Sequence, residues 1–225
     1  MKELIFIAIC DVEPAHDEAI YSQIEKLGSS EGVTPLVVGR LFEGADVMLL
    51  LHSPDMESVD DYLIKNVRSS KSVQELVVVP VYEFSLLSSF DFMVEPEQED
   101  TETTPIDHEE LLFFMAKIDI EPTKDRAVHK SISSIAPTDE TIPLMTGHTF
   151  HTKDFDSVLF FLSRSLEGAW EFVKALRLIP GVWDTEVNLI AHFEGLVPLK
   201  QFKKLVSTKP TQSSRGGLGA KKLAE

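Results

Sequence analysis

A threonine-glycine pair and two later polar residues in the second half of the chain are of types that can either contact a small polar molecule or shape turns. Thr146 and Gly147 are followed by Asp156 and then by Thr185. Glycine lets a ligand approach the backbone closely, a carboxylate such as Asp156 can accept hydrogen bonds from an ammonium group, and exposed backbone N–H groups can hold a carboxylate. The alternative is structural, because glycine shapes turns and aspartate accepts hydrogen bonds from the backbone of turns.

The first half carries a weaker version of the same pattern. Gly39, Gly44 and Asp46 follow each other in a similar way, but Leu76 stands where the second half has Thr185. The leucine removes a hydroxyl group from that position. We therefore expect any ligand contacts of Gly39, Gly44 and Asp46 to be weaker than those of the second half.

Four histidines are candidates for an axial haem ligand, His129, His148, His151 and His192, and the pair His148 and His151 is also a candidate for a metal site. The pair His148-x-x-His151 has no cysteine or third ligand nearby, which makes it weak evidence for a metal site. It also lies in residues 148–153, an insertion in the turn that would shape the ligand pocket. No glycine-rich phosphate loop, nucleophile elbow or zinc-protease helix occurs in the sequence. We therefore assign no catalytic residue, no metal ligand and no cofactor.

The elements that must position these residues occur twice, and the second copy starts about 108 residues after the first. Apolar runs and helical stripes give the order β-α-β-β-α-β in each copy, which is the ferredoxin-like split β-α-β arrangement. In the second copy, for example, a helix with one buried face is predicted from Leu166, Ala169, Trp170, Val173 and Leu176.

The central strands of both copies are continuous apolar runs, such as residues 4–9 and 111–116. A strand with helices on one face and water on the other would alternate, so continuous runs require cover on both faces. We predict an α+β fold with two tandem ferredoxin-like βαββαβ units. The two units are expected to pack sheet to sheet as an internal pseudo-dimer.

Changes in composition predict four segments along the chain. The first ferredoxin-like unit is placed at 1–92, an acidic linker at 93–109, the second unit at 110–199 and a basic, disordered tail at 200–225. The linker combines like charges with prolines and lacks aromatic residues, which is typical of an extended connector. The tail has almost no apolar periodicity.

The overall composition is that of a globular protein and disfavours several classes of function. The 225 residues carry a formal net charge of −16, which opposes contact with a nucleic-acid backbone. No apolar run approaches the roughly 20 residues that cross a bilayer, and no secretory signal is visible. Cys10 is the single cysteine, so an internal disulfide is impossible. We expect a cytoplasmic protein that does not act with a membrane.

Three short motifs of the second half carry a family resemblance. Thr146-Gly147, Phe155-Asp156 before an apolar strand, and Pro180-Gly181-Val182 resemble the effector-binding domain of the leucine-responsive regulatory protein/AsnC family. Members of that family bind amino acids or related small molecules at interfaces between such domains. The resemblance implies that the seven glycine and polar residues proposed above contact the ligand. The family's helix-turn-helix has no counterpart in this sequence, so no sequence-specific DNA binding by the protein alone is implied.

The resemblance predicts a regulatory protein that binds a small-molecule effector such as an amino acid and lacks its own DNA-binding domain. We expect the protein to bind its effector without catalysing a reaction, and to act with protein partners or as a homo-oligomer. Two alternatives stay open: an interaction or assembly module without a small ligand, and a haem-binding or monooxygenase-like enzyme of the dimeric α/β barrel class. The last alternative arises because tandem ferredoxin-like units also occur in chlorite dismutase-like proteins and small monooxygenases.

Overall fold

The computed structural model describes residues 4–42, 46–88, 111–149 and 155–206, which form eight β-strands and five α-helices. The strands are β1 Leu4–Val12, β2 Thr34–Leu41, β3 Val47–Ser53, β4 Val73–Leu86, β5 Leu112–Ile120, β6 Thr141–Thr149, β7 Ser157–Ser163 and β8 Val182–Gly195. The helices are α1 Asp17–Ile24, α2 Met56–Leu63, α3 Asp125–Ile132, α4 Leu166–Arg177 and α5 Leu199–Val206, and a π-helical turn Ile64–Arg68 extends α2. The order β-α-β-β-α-β occurs in both halves, β1–β4 and β5–β8, as the sequence predicts. Within the described ranges, no helix has the length and apolar character needed to cross a membrane.

The eight strands form one closed antiparallel barrel in the order β1-β3-β2-β8-β5-β7-β6-β4. Two pairings join the halves. Gly39 of β2 lies opposite Phe193 of β8, and Tyr82 of β4 lies opposite His148 of β6. The apolar runs predict two sheets packed face to face, but they do not predict these edge pairings. Apolar patterns show which faces of a strand are covered, but they do not show which edges pair.

The barrel interior is filled with apolar side chains from all eight strands. Ile7, Met48 and Leu50 of the first half and Met115 and Phe160 of the second are completely buried there. Successive residues of a strand point to opposite faces, so the continuous apolar runs supply both this interior and the layer beneath the helices. The barrel is therefore a packed core rather than an open channel.

Outside the barrel, α1 and α2 cover the strands of the first half, and α3 and α4 cover those of the second. The N-termini of α2 and α4 are capped in the same way. The Asp55 carboxylate accepts a hydrogen bond from the N–H of Ser58 at 2.8 Å, and the Ser165 hydroxyl accepts one from the N–H of Gly168 at 3.0 Å. Both caps satisfy donors that the first turn of a helix leaves unpaired.

Trp170 does not lie in the buried stripe of α4 where the sequence places it, because 52% of the residue is exposed. Its ring lies near the Lys174 ammonium and the Arg177 guanidinium, at 5.6 and 5.8 Å from the ring centroid. These distances permit cation–π attraction. The buried face of α4 is formed instead by Ala169, Phe172, Val173 and Leu176.

Helix α5 lies where the sequence analysis placed the end of the second unit and the start of the tail. Phe202 and Val206, four residues apart, are each 5% exposed and join the barrel core. The described fold therefore includes α5 as far as Val206, beyond the predicted end of the second unit at residue 199. The predicted linker at 93–109 and the rest of the predicted tail, 207–225, lie outside the described residues.

Candidate functional site

Two junctions bring polar side chains from both halves of the chain together. We call them the α3 junction, formed by Glu83, His129 and His148, and the α1 junction, formed by Tyr21, Glu25, Arg40, His192 and Glu194. In each, one helix packs over a pair of strands from different halves. Tyr21 and His129 are about 108 residues apart in the sequence, as are Arg40 and His148. The junctions are thus equivalent places in the two halves that carry different side chains.

The α3 junction contains a pair of histidine rings. The ring centroids of His129 and His148 are 5.5 Å apart, with an angle of 53° between the ring planes. The Nδ1 atoms of both rings are buried and have no hydrogen-bond partner. A buried polar atom without a partner costs on the order of 1–3 kcal/mol, so two adjacent cases call for a functional or structural reason.

A β-bulge in β4 positions the third member of the α3 junction. Between Tyr82 and Ser85, two residues of β4 stand opposite Gly147 of β6. One of them, Glu83, has a φ of +50°, a left-handed conformation that is uncommon for a residue with a side chain. The bulge brings the Glu83 backbone into a hydrogen bond with the His129 ring.

The surroundings of His129 favour its neutral form. Burial lowers the pKa of His129 below its ordinary value of 6.5, and the charge of His148 lowers it further. The Glu83 carboxylate and the hydrogen bond to the Glu83 backbone oppose this effect but do not reverse it. At neutral pH the His129 ring is therefore uncharged and able to accept a proton, as a general base must.

The α1 junction is acidic and contains a buried phenol. The rings of Tyr21 and His192 meet edge to face, with centroids 5.4 Å apart and planes at 72°. Tyr21 is only 6% exposed, and its hydroxyl oxygen is buried without a hydrogen-bond partner. The carboxyl groups of Glu25, after α1, and Glu194, on β8, lie close enough to influence each other.

The protonation states at the α1 junction follow from burial and like charge. Burial raises the pKa of Tyr21 to about 12, and the negative charges of Glu194 and Glu25 act in the same direction, so the phenol keeps its proton. Burial and then the neighbouring Glu25 raise the pKa of Glu194. Arg40 is paired with Asp17 of α1, which offsets its positive charge.

The structure distributes the predicted ligand residues of the second half over neighbouring strands rather than around one pocket. Thr146 on β6 donates its hydroxyl hydrogen to the carbonyl of Val158 at 2.9 Å. Thr185 on β8 accepts a hydrogen bond from Arg177 Nε at 2.6 Å. Because β5 and β7 lie between β8 and β6, these two hydroxyl groups are separated by two strands.

The predicted aspartates Asp46 and Asp156 hold the backbone in equivalent ways. Asp46 Oδ2 accepts a hydrogen bond from the N–H of Val12 at 2.7 Å, and Asp156 Oδ2 accepts one from the N–H of Ile120 at 2.8 Å. Each carboxylate thereby joins the start of the third strand of its half to the end of the first. The turn-binding role that the sequence analysis gave as the alternative describes these contacts.

The predicted glycines Gly39 and Gly147 are surrounded by core side chains. A Cβ atom on Gly147 would lie 2.1 Å from Val81 Cγ1, and one on Gly39 would lie 3.0 Å from Ile190 Cγ2. Gly44 lies outside the described residues. The ligand-binding role of all seven predicted residues stays a prediction.

A surface groove of about 500 Å³ lies beside the N-terminus of α4. Its lining consists of hydroxyl, carboxylate and apolar side chains from Thr138, Glu140, Thr141, Ser165, Glu167, Gly168, Glu171, Phe172 and Ala175. None of the candidate histidines lines it. Among the described residues, no group of three or more histidine, cysteine, aspartate or glutamate side chains is arranged to hold a metal ion.

The functional residues predicted from the sequence do not include Tyr21, Glu25, Glu83, Arg40 or Glu194. Superposing the two copies at the offset of about 108 residues would have matched Tyr21 with His129 and Arg40 with His148. That signal identifies equivalent positions within each half. It does not reveal the pairing of β2 with β8 or of β4 with β6, which completes each junction.

Comparison with known proteins identifies the fold but no sequence family. No protein-family model matches the sequence, and no curated protein is significantly similar to it. A candidate monooxygenase from Lactobacillus acidophilus NCFM has a similar structure, with a TM-score of 0.54 and 11% identity over 87% of this chain and 97% of that one. An anthrone oxidase-like protein has a TM-score of 0.54 and 7% identity over 88% and 95% of the two chains. Chlorite dismutase from Candidatus Nitrospira defluvii, in complex with imidazole, has a TM-score of 0.50 and 12% identity over 91% and 95%.

These similarities correct the family resemblance drawn from the sequence. The structural neighbours are candidate monooxygenases, an anthrone oxidase-like protein and chlorite dismutase, not effector-binding domains of the leucine-responsive regulatory protein/AsnC family. The prediction of a transcription-regulating effector protein is therefore wrong. These short motifs misled because Thr146 bonds to the neighbouring strand and Asp156 accepts from the backbone N–H of Ile120, contacts that belong to the fold itself. At identities this low, the similarity establishes the fold alone.

Proposed function

We propose that the protein is a monooxygenase-like enzyme of the dimeric α/β barrel class. We further propose that its barrel is an internal pseudo-dimer of two tandem ferredoxin-like units. In support, the strand order β4-β1-β3-β2 of the first half has the counterpart β8-β5-β7-β6 in the second. The equivalent hydrogen bonds of Asp46 and Asp156 also support a duplicated unit.

The observation that carries the proposed activity is the pair of unpartnered Nδ1 atoms of His129 and His148 at the α3 junction. The lowered pKa of His129 keeps its ring neutral near pH 7, so that it can take a proton from a substrate. The hydrogen bond from the ring to the Glu83 backbone fixes the ring orientation. The similarity to candidate monooxygenases and to an anthrone oxidase-like protein points to oxidation as the chemistry that follows.

The proposed reaction needs an activated C–H or phenolic O–H group on the substrate. His129 removes the proton, and the electron-rich anion that remains transfers electrons to molecular oxygen. When a CH₂ group next to aromatic rings becomes a carbonyl, one atom of O₂ enters the product and the other leaves as water with the two hydrogens. This balance requires no external reductant. His148 lies beside His129 within the buried junction, where it can pass on the proton that His129 has taken from the substrate.

Haem, which the resemblance to chlorite dismutase would imply, does not fit the described residues. The groove of about 500 Å³ has no histidine, cysteine, methionine or tyrosine in its lining that could serve as an axial ligand. His129 and His148 face each other between α3 and the barrel, and His192 packs against Tyr21. His151 lies outside the described residues. We therefore route no step of the reaction through haem.

Oxygen consumption tests the proposal directly. Purified protein is incubated with anthrone in air-saturated buffer, and dissolved O₂ and the quinone product are measured against the uncatalysed rate. We expect His129→Ala and His148→Ala to reduce the rate about 100-fold, the scale of lost general-base catalysis. His16→Ala is the matched control, because His16 is an exposed histidine that contacts Glu13 at the surface.

A pH profile separates a base from a merely structural residue. The rate should fall as the pH drops through the lowered pKa of His129, because protonation removes the base. No oxygen uptake above background would refute the proposed activity. Uptake that persists in both junction variants would remove His129 and His148 from the mechanism.

A further inference from the structure

Helix α4 carries a row of large exposed side chains along the flank of its outer face. We call it the α4 ridge; it consists of Leu166, Trp170, Lys174 and Leu178, each four residues after the last. Leu178 directly follows α4 and keeps a helical conformation. Leu166 is 66% exposed, Trp170 52% and Leu178 82%. Rows of this spacing are the ridges by which helices pack against one another.

Exposed apolar side chains are concentrated around this ridge. Seven large hydrophobic residues of the described ranges are exposed, and four of them lie between residues 166 and 183: Leu166, Trp170, Leu178 and Trp183. Arg177, at the end of α4, binds Thr185 and so holds the start of β8, with Trp183, near the end of the helix. Single exposed apolar residues are ordinary, but a cluster that contains both tryptophans of the chain is typical of an interaction surface.

The charges of α4 indicate which kind of partner the ridge fits. Glu167 and Glu171 lie in the first half of the helix, and Lys174 and Arg177 lie in the second half. The helix is therefore neutral, although the whole chain has a net charge of −16. A second copy of α4 in the antiparallel direction would place its basic half opposite this acidic half, and the two helix dipoles would also be opposed. A parallel copy would bring like charges together.

We propose that the α4 ridge binds the α4 ridge of a second copy of this chain, in the antiparallel direction, to form a two-fold dimer. Reversal of the ridge places Leu166 opposite Leu178 of the second copy, and Trp170 opposite Lys174. Ridges of four-residue spacing interlock when the helices cross at about 50°. Each contact occurs twice, so the assembly closes at two copies.

The proposed contacts repeat interactions that α4 already makes within one chain. The Lys174 ammonium lies 5.6 Å from the centroid of the Trp170 ring, a distance that permits cation–π attraction. In the dimer each ring would also meet the ammonium group of the other copy, away from bulk water. The ridge contains no residue of the α3 junction, so dimerisation and the proposed oxidation are tested separately.

Sedimentation velocity of the full-length protein tests the dimer. A single pair of helices buries less surface than a standard interface, so we expect a dissociation constant of about 10–100 µM. The protein should sediment as a monomer at about 1 µM and at twice that mass at about 500 µM. Trp170→Ala should weaken association about tenfold or more. Phe42→Ala is the matched control, because Phe42 is a 69% exposed aromatic residue just after β2, and it should leave association unchanged.

A pair of complementary variants tests the antiparallel register. Leu166→Glu and Leu178→Lys each remove the proposed leucine contact twice per dimer, so each variant alone should associate about tenfold more weakly. In a mixture, one Glu–Lys pair and one restored Leu–Leu contact should make the mixed dimer about fivefold tighter than either variant alone. An acid at the start of a helix and a base at its end agree with the helix dipole, so both variants should fold, as melting temperatures will show.

Tryptophan fluorescence gives a second measurement of the same contact. Trp183→Phe leaves Trp170 as the single tryptophan. Its emission should shift to shorter wavelength between about 1 and 500 µM, because the ring loses contact with water in the dimer.

Four results would overturn the proposal. The first is a wild-type protein that stays monomeric at about 500 µM. The second is a mixture of the two leucine variants that associates no better than each alone. The third is equal weakening by Phe42→Ala and Trp170→Ala, which would place the contact elsewhere. The fourth is Trp170 emission already at short wavelength in the dilute monomer, which would show that another part of the chain covers the ridge.

Discussion

Gly147→Ala should destabilise the protein although it adds only one methyl group. Gly147 lies opposite the β4 bulge, and a Cβ atom there would be 2.1 Å from Val81 Cγ1 and 3.1 Å from Phe84 Cδ2. Both neighbours belong to the barrel core, and Val81 is 2% exposed. A valine side chain has few alternative rotamers, so relief requires movement of β4 against β6.

The expected magnitude follows from overpacking in a filled interior. Extra methyl groups in packed cores cost about 1–3 kcal/mol, and contact with a stiff, buried valine places this site toward the upper end. In a chain of this size, each kcal/mol lowers the melting temperature by about 2–4 °C. We therefore expect a decrease of about 4–12 °C, which calorimetry or circular dichroism can measure.

Gly39→Ala is the matched control, because it occupies the equivalent place in β2. The nearest atoms to its new methyl group would be Ile190 Cγ2 at 3.0 Å and Met48 Cγ at 3.2 Å. Methionine adapts easily, so we expect less than half the destabilisation of Gly147→Ala. Combining Gly147→Ala with Val81→Ala should restore about 1 kcal/mol or more relative to additivity. Equal melting temperatures for the two glycine variants, or strict additivity in the cycle, would falsify the packing argument.

Three further predictions follow from the contacts described above. Asp156→Ala leaves the N–H of Ile120 without its acceptor and should lower the free energy of unfolding in urea by about 1–3 kcal/mol, with faster hydrogen exchange at Ile120. Asp46→Ala should have the same effects at Val12. Unchanged hydrogen exchange at these amides would contradict the prediction. Phe202→Ala should release α5 from the barrel core and lower the free energy of unfolding by about 3–5 kcal/mol. Trypsin should then cleave faster after Lys203 or Lys204. Continued protection from trypsin would show that α5 docks without the Phe202 ring. Because the folded-state pKa of His129 is lowered, the unfolded state binds more protons below about pH 6.5, so the free energy of unfolding should decrease as pH falls from there toward the folded pKa. His129→Gln should flatten that part of the pH profile, and a steeper profile in the variant would contradict the assignment.

The strands and helices could be predicted because burial leaves a periodic pattern in the sequence. The runs at residues 4–9 and 111–116 required cover on both faces, and the structure supplies it through the barrel interior and the helices. Barrel closure left no comparable pattern. The pairing of Gly39 with Phe193 depends on backbone hydrogen bonds between strands far apart in sequence, and these bonds are nearly independent of side-chain type.

The candidate site was predictable in residue type but not in arrangement. His129, His148 and His192 were selected as potential ligands by type, yet the first two face each other and the third contacts Tyr21. Trp170 was predicted to be buried because helical spacing alone defines a wide apolar stripe. In a short helix, one flank of that stripe faces solvent. Glu25 and Glu194 resemble ordinary surface acids in sequence, and only the β2–β8 pairing brings them together.

The hydrogen bonds between β2 and β8 also determine when the protein can finish folding. Gly39 must find Phe193 across more than half of the chain, and such distant pairings slow the search because a large loop has to close. During synthesis the first half emerges with the outer edges of β2 and β4 unpaired, because their partners β8 and β6 belong to the second half, and exposed strand edges promote aggregation. Barrel closure therefore makes the ribosome-bound first half the most vulnerable species in the life of this protein, until β6 and β8 arrive.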